Sequence, residues 1–199
     1  PAEYDSVLLK TLLVHGAGWT EAGDLFMSIF KTPENGHVLK DYLGTILGYG
    51  SADVARSMSC TDQRVTVLGV GQIDDGEGQE YRFPLPPSLS AVAERRRMTI
   101  TLAWLTPVHS SRQKYRIAHL WFTSKHDLAP TRQNANDKAV LRGTVQHEIF
   151  EGHRAIAYQD GEEMVIKVSC RSDADDIPAP IPYGLAVTLE GGEELSLPI

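Results

Sequence analysis

Cysteine is scarce in this chain: Cys60 and Cys170 are the two among 199 residues. Small secreted scaffolds held by disulfides carry more. Both thiols are therefore expected to be reduced, and the scarcity points to a cytoplasmic location. No apolar run approaches the roughly 18 residues that a membrane-spanning helix needs. The opening Pro1-Ala2-Glu3-Tyr4-Asp5-Ser6 lacks the basic and apolar regions of a signal peptide and reads as a cut inside a longer chain. Clustered positive charge is missing as well. The net charge is −7, and the one basic run, Arg95-Arg96-Arg97, stands before a strong strand pattern, so no nucleic-acid partner is expected. There is no phosphate-binding loop. Gly69-Val70-Gly71 lacks the third glycine and the following helix of a dinucleotide fingerprint. What remains is an ordinary globular composition, 42% hydrophobic and 23% charged. A chain of this length buries roughly 70% of its unfolded surface and needs no disulfide or metal to hold it.

The hydrophobic period changes near residue 60. Before it, Tyr4, Val7, Leu8 and Leu12, with Leu9 and Leu13 in support, recur at helical spacing. Ser6 can cap this helix, and Gly16 and Gly18 stop it. Its apolar residues cover more than one face, so it should lie in a larger body. Thr20 to Phe30 gives a second, weaker helix, Gly36 to Leu47 is mixed, Gly48-Tyr49-Gly50 is a turn, and Ala52 to Met58 gives a short helix. From Arg64 the pattern is β. Strands are expected at Arg64–Val70, Glu80–Leu85, Met98–Leu105, Tyr115–Phe122, Ala139–Phe150, Glu163–Ser169 and Tyr183–Leu189. In the clearest of them Met98, Ile100, Leu102 and Trp104 point inward, and Thr99, Thr101 and Ala103 face the other way. The polar stretch 124–137 predicts a long mobile loop. The fold expected is mainly β, a jelly-roll-like antiparallel β-sandwich over 61–199 preceded by a short helical segment over 1–60.

Candidate motifs fall short of the chemistry they imitate. Leu12-Leu13-Val14-His15-Gly16-Ala17-Gly18-Trp19 resembles an oxyanion-hole loop of α/β-hydrolases. That fold needs a Gly-x-Ser-x-Gly turn to lift its serine above a parallel sheet, and Ser51, Ser57, Ser59, Ser110 and Ser111 all lack the frame. His147-Glu148-Ile149-Phe150-Glu151-Gly152-His153 spaces its histidines at six rather than the four that zinc on one helical face requires. Two acidic clusters, Asp74-Asp75-Gly76-Glu77 and Asp173-Ala174-Asp175-Asp176, offer loop oxygens of the kind calcium takes, without the helix-loop-helix ligand pattern. Whether Asp74, Asp75 and Glu77, or Asp173, Asp175 and Asp176, hold calcium stays open. Trp19, Trp104 and Trp121 could form a sugar-stacking surface, although the phase of Trp104 places it in the core.

Two segments taken together say more. Val7-Leu8-Leu9-Lys10-Thr11-Leu12-Leu13-Val14-His15-Gly16-Ala17 resembles the buried helix that follows the catalytic-serine helix in subtilisin-like serine proteases. Gly48-Tyr49-Gly50-Ser51-Ala52-Asp53-Val54-Ala55 resembles the turn and short helix that close the catalytic domain of that family. The run Met98 to Pro107 is similar to a core strand of the jelly-roll domain that follows many such catalytic domains, and Ile181 to Leu189 to its last strand. The resemblance implies that 1–60 is the C-terminal remnant of a subtilase catalytic domain and 61–199 its accessory β-domain. It also implies that the Asp, His and Ser of the triad precede Pro1, since no Gly-Thr-Ser frame occurs here.

No catalytic, cofactor-binding or metal-binding residue is therefore assigned, and no cofactor is expected. The partners implied are the catalytic domain of the same parent chain and the protein or peptide substrate of that parent. The helical faces, if uncovered, predict self-association. The function expected is that of a non-catalytic C-terminal part of a serine endopeptidase, inactive alone, which stabilises the catalytic domain and shapes substrate access. Two readings compete with it. A free-standing jelly-roll module for carbohydrate or protein would show a concave sheet face with Trp121 and Tyr115 exposed. An enzyme active on its own would bring a nucleophile, a base and an orienting group together in a pocket.

Overall fold

The computed structural model describes residues 2–32, 36–87, 95–111, 115–124, 132–133, 143–152, 159–173 and 175–191. Four helices come first: α1 (Ala2–His15), α2 (Thr20–Phe30), α3 (Gly36–Leu47) and α4 (Val54–Met58). Eight strands follow: β1 (Arg64–Ile73), β2 (Gly78–Pro84), β3 (Arg96–Trp104), β4 (Ala118–Ser124), β5 (Arg132–Gln133), β6 (Val145–Gly152), β7 (Glu163–Ser172) and β8 (Ile181–Gly191). They form two antiparallel sheets, one of five strands in the order β1-β8-β3-β6-β5 and one of three in the order β2-β7-β4. The fold is a mainly β sandwich with a helical layer. The pairs β1·β8, β2·β7 and β3·β6 are nested, as in a long ribbon wound on itself. A full jelly roll would also pair β4 with β5. Among the described residues β4 pairs with β7 and β5 with β6.

The core lies between the sheets. Met98, Ile100, Leu102 and Trp104 of β3 meet Leu120, Phe122, Ile166 and Val168 of the facing sheet, together with Tyr183, Leu185 and Val187 of β8. The inward phase of β3 is thus the one the alternation predicts, and Trp104 is 0% exposed. The opposite phase is buried too. Thr99, Thr101 and Ala103 are covered, because α1 lies across β8 and β3. This contact joins the two parts that the change of period separates near residue 60.

Helix α1 seats Val7, Thr11 and His15, four residues apart, on the sheet. Gly184 allows the approach: a Cβ there would stand 2.5 Å from Thr11 Oγ1 and 3.2 Å from a Val7 methyl. Lys10 extends along the same seam and donates to the Trp104 carbonyl at 3.0 Å and to Thr144 Oγ1.

Some local expectations change. Ser6 does not cap α1, because the helix already begins at Ala2 and Ser6 sits on its exposed side. A capping residue acts only where the backbone stops being helical, and Ala2 to Asp5 continue the turn. The mixed stretch Gly36–Leu47 is helical: Leu39 and Leu43 fall on one buried stripe, which outweighs the poor helix propensity of its glycines. Within 124–137, Ser124 ends β4 and Arg132–Gln133 form β5, while 125–131 and 134–137 lie outside the described residues.

Candidate functional site: the helix–sheet seam and the outer helical surface

The seam under α1 is polar. His15 Nδ1 lies 2.8 Å from Thr101 Oγ1, and His15 Nε2 lies 2.6 Å from Thr188 Oγ1. Thr101 Oγ1 also meets His147 Nδ1 at 2.7 Å, and Thr188 Oγ1 meets Thr66 Oγ1 at 2.7 Å. Five side chains from α1, β1, β3, β6 and β8 thus form one hydrogen-bonded chain, in which the two histidines, Thr101 and Thr188 are buried. Burial holds His15 down to about 3, with His147, Arg64 and Arg56 adding to the effect. Burial likewise holds His147 down to about 4, with Arg97 and Arg56 adding to it. Both rings are therefore neutral at pH 7. Each then has one nitrogen to donate and one to accept, and threonine hydroxyls meet both nitrogens of His15 and Nδ1 of His147.

The edge of this seam is stitched by glycines. Gly18 and Ser51 exchange backbone bonds, Gly18 N–H to Ser51 O at 3.1 Å and Ser51 N–H to Gly18 O at 3.0 Å. Gly50 at φ +93° and Gly16 both sit where a Cβ would run into the opposing backbone. The Tyr49 hydroxyl donates to Val145 O at 3.0 Å, and its ring stands edge-on to His147 at 5.7 Å. Trp19 Nε1 donates to Gly48 O at 3.0 Å. The Gly-Tyr-Gly turn is thereby fastened to the end of α1 and to β6. Between these anchors α2 and α3 pack on each other.

Beyond the seam the helices present apolar side chains to solvent. Leu9 and Leu13 of α1 and Val54 and Met58 of α4 are exposed, Met58 at 71%. With Leu12 and Ala52 they line a shallow apolar groove. Leu25, Ile29 and Phe30 of α2 and Val38, Tyr42 and Ile46 of α3 are each more than half exposed. Single exposed apolar residues are ordinary, but ten within one helical layer are not.

No family model and no curated protein matches the chain.

The residues that the sequence singles out fall as follows. In His15-Gly16-Ala17-Gly18 the three amides after the histidine are engaged: Gly16 N–H with Leu12 O, Ala17 N–H with Val14 O, and Gly18 N–H with Ser51 O. They leave no donor pair for an oxyanion. His147 belongs to the seam, and His153 lies outside the described residues. Glu77 accepts from Asp74 N–H at 3.2 Å and closes the turn after β1, and Asp75 accepts from Ser172 N–H at 2.6 Å and ties that turn to the end of β7. Asp173 pairs with Arg116 at 2.8 Å, and Asp175 accepts from Asp176 N–H at 3.1 Å. Among the described residues no three His, Cys, Asp or Glu side chains come together to hold a metal. Trp104 is core, and Trp121 is taken up by His119, stacked at 5.8 Å, and by the Arg171 guanidinium at 5.8 Å. Tyr115 is exposed. Both cysteines are free thiols, and burial, with the nearby Asp75, Asp74 and Glu77, pushes Cys170 up to about 12.

Ser111, His109 and Asp175 do come together. Ser111 Oγ is 3.0 Å from His109 Nδ1, and His109 Nε2 is 3.6 Å from Asp175 Oδ2. The distance to the carboxylate is too long for an orienting hydrogen bond, and all three side chains stand in solvent rather than in a dry pocket. The cluster has the residue types of a triad without its environment. Among the described residues no helix is long and apolar enough to cross a membrane.

Proposed function

We propose that this chain is the non-catalytic C-terminal part of a subtilisin-like serine endopeptidase, whose helical layer seats the catalytic domain and whose sandwich braces that layer. The observation that carries the reading is the apolar outer surface of α1 and α4, with Leu9, Leu13, Val54 and Met58 uncovered on α1, whose opposite side is fixed to the sandwich, and on α4, which packs on α1. A domain that ends in such helices needs a body on their far side. The two segments that resemble the family support it further. They are the helix and the Gly-Tyr-Gly turn that meet at Gly18 and Ser51, as the last elements of one catalytic domain would.

In this reading the sandwich acts by rigidity. The seam fixes α1 to β8 and β3, so the apolar face is presented in one orientation, and preorganisation lowers the entropic cost of docking. A serine-directed fluorophosphonate probe tests the assignment, applied to this chain and to a chain extended upstream through the expected serine. Labelling confined to the longer chain is the expected result. Labelling of this chain, at Ser111 or at any other serine, would overturn the reading and place a nucleophile within these residues.

A further inference from the structure

The three-stranded sheet closes both its edges. On β4 the Gln146 side chain acts as a substitute strand: its Oε1 accepts from Phe122 N–H at 2.8 Å, and its Nε2 donates to Phe122 O at 3.3 Å. On β2 Glu80 and Arg82 stand on the edge strand, 3.4 Å apart, and Pro84 ends it. Charges, proline and side-chain caps are the usual guards against strand addition. The middle of the outer edge of β1, from Thr66 to Val70, has none of them. From Val65 to Ile73 the strand carries no charged residue and no proline.

The register shows which groups are open. Gln63 O accepts from Gly191 N–H at 2.9 Å, so odd-numbered residues of β1 bond to β8 and even-numbered ones turn away from it. At the two ends the outward groups are used: Arg64 exchanges bonds with Thr61, and Gln72 O accepts from Gln79 Nε2 at 2.6 Å. Between them Thr66, Leu68 and Val70 direct N–H and C=O outward, and among the described residues β1 pairs with no strand but β8. The side chains around this row are apolar and accessible on both faces, Leu68 at 46% and Val70 at 45% on the helix side, Val67 at 40% on the other.

We infer that the outer edge of β1 is a docking site for an extended peptide segment, which adds as a further strand through the backbone of Thr66, Leu68 and Val70. The backbone row selects an extended chain, because only a strand matches donors and acceptors at this spacing. The flanking Val67, Leu68 and Val70 select apolar or β-branched side chains on both faces of the segment. The chain's net charge of −7 sets two copies against each other and favours an uncharged or basic segment over a second copy. This inference does not depend on the protease reading.

The test uses the whole chain and a synthetic peptide of alternating valine and threonine, capped at both ends and flanked by lysines. Saturable one-to-one binding is expected, with slowed amide exchange at Thr66, Leu68 and Val70 and no change of oligomeric state in sedimentation. Leu68→Pro removes the central outward donor and leaves the bonds to β8 intact. Leu68→Lys keeps the backbone and guards the edge. Each should weaken binding at least about tenfold. A peptide N-methylated at the residues that face the edge should lose binding by a similar factor, with the protein unaltered. No binding at millimolar peptide, perturbation confined to other strands, self-association through β1, or binding indifferent to N-methylation would each overturn the inference.

Discussion

Thr101 holds two imidazoles, and its hydroxyl has one proton to give. With both rings neutral it donates to one Nδ1 and accepts from the other. With both rings protonated it receives two donors and its own proton is left without an acceptor. The network and burial therefore act in the same direction, and the folded pKa values of His15 and His147 lie below the ordinary 6.5, at about 3 and about 4. The unfolded chain takes up protons first as pH falls. Stability contributed by the neutral rings is complete above about pH 6.5 and is lost as pH drops towards 4 and 3, at up to about 1.4 kcal/mol per pH unit for each histidine. Arg56, Arg64 and Arg97 oppose protonation, whereas Glu190, which pairs with Arg56 at 3.2 Å and Arg64 at 3.4 Å, offsets part of their charge. Denaturant midpoints measured from pH 7 to pH 4 should fall steadily, and His15→Gln should flatten the slope; a slope unchanged by that substitution would contradict the assignment. Thr101→Val keeps the shape but leaves Nδ1 of both rings unpartnered, so a loss of about 2 kcal/mol is expected in the same measurement at pH 7.

The elements differ in how far they can be read from the sequence. Strand β3 is plain, because period-two alternation of Met98, Ile100, Leu102 and Trp104 against threonines has few other meanings. Helix α2 has a weaker pattern, yet its bounds fall at Thr20 and Phe30 as expected. Helix α3 is not, since glycines weaken the propensity and only packing on α2 discloses the Leu39 and Leu43 stripe. The His15–Thr101–His147 link spans 86 and 46 residues of sequence, beyond any local pattern. A weak signal was present: His15 follows Val7 and Thr11 on one helical face, and Thr101 and His147 lie opposite each other in neighbouring strands. The open edge of β1 was legible only in part. Its lack of charge is visible in the sequence, but its place at the edge of a sheet is set by the pairing of β8 with β3.

At the scale of the whole molecule, two kinds of surface are set apart. The sandwich closes on an apolar core, and the outer face of its five-stranded sheet is covered by α1, whereas the groove along α1 and α4 leaves Leu9, Leu13, Val54 and Met58 open to solvent. A catalytic domain docked there would remove these side chains from water at roughly 25 cal/mol per Å² of apolar area, before the cost of association. That is the central claim of the protease reading, and Met58 reports on it directly, because a thioether in solvent oxidises and a buried one is protected. Peroxide oxidation of Met58, followed by mass spectrometry, should be fast in this chain and at least about tenfold slower in the chain extended upstream through the catalytic domain. Equal oxidation rates in the two chains would mean that nothing covers α1 and α4, and would contradict the account.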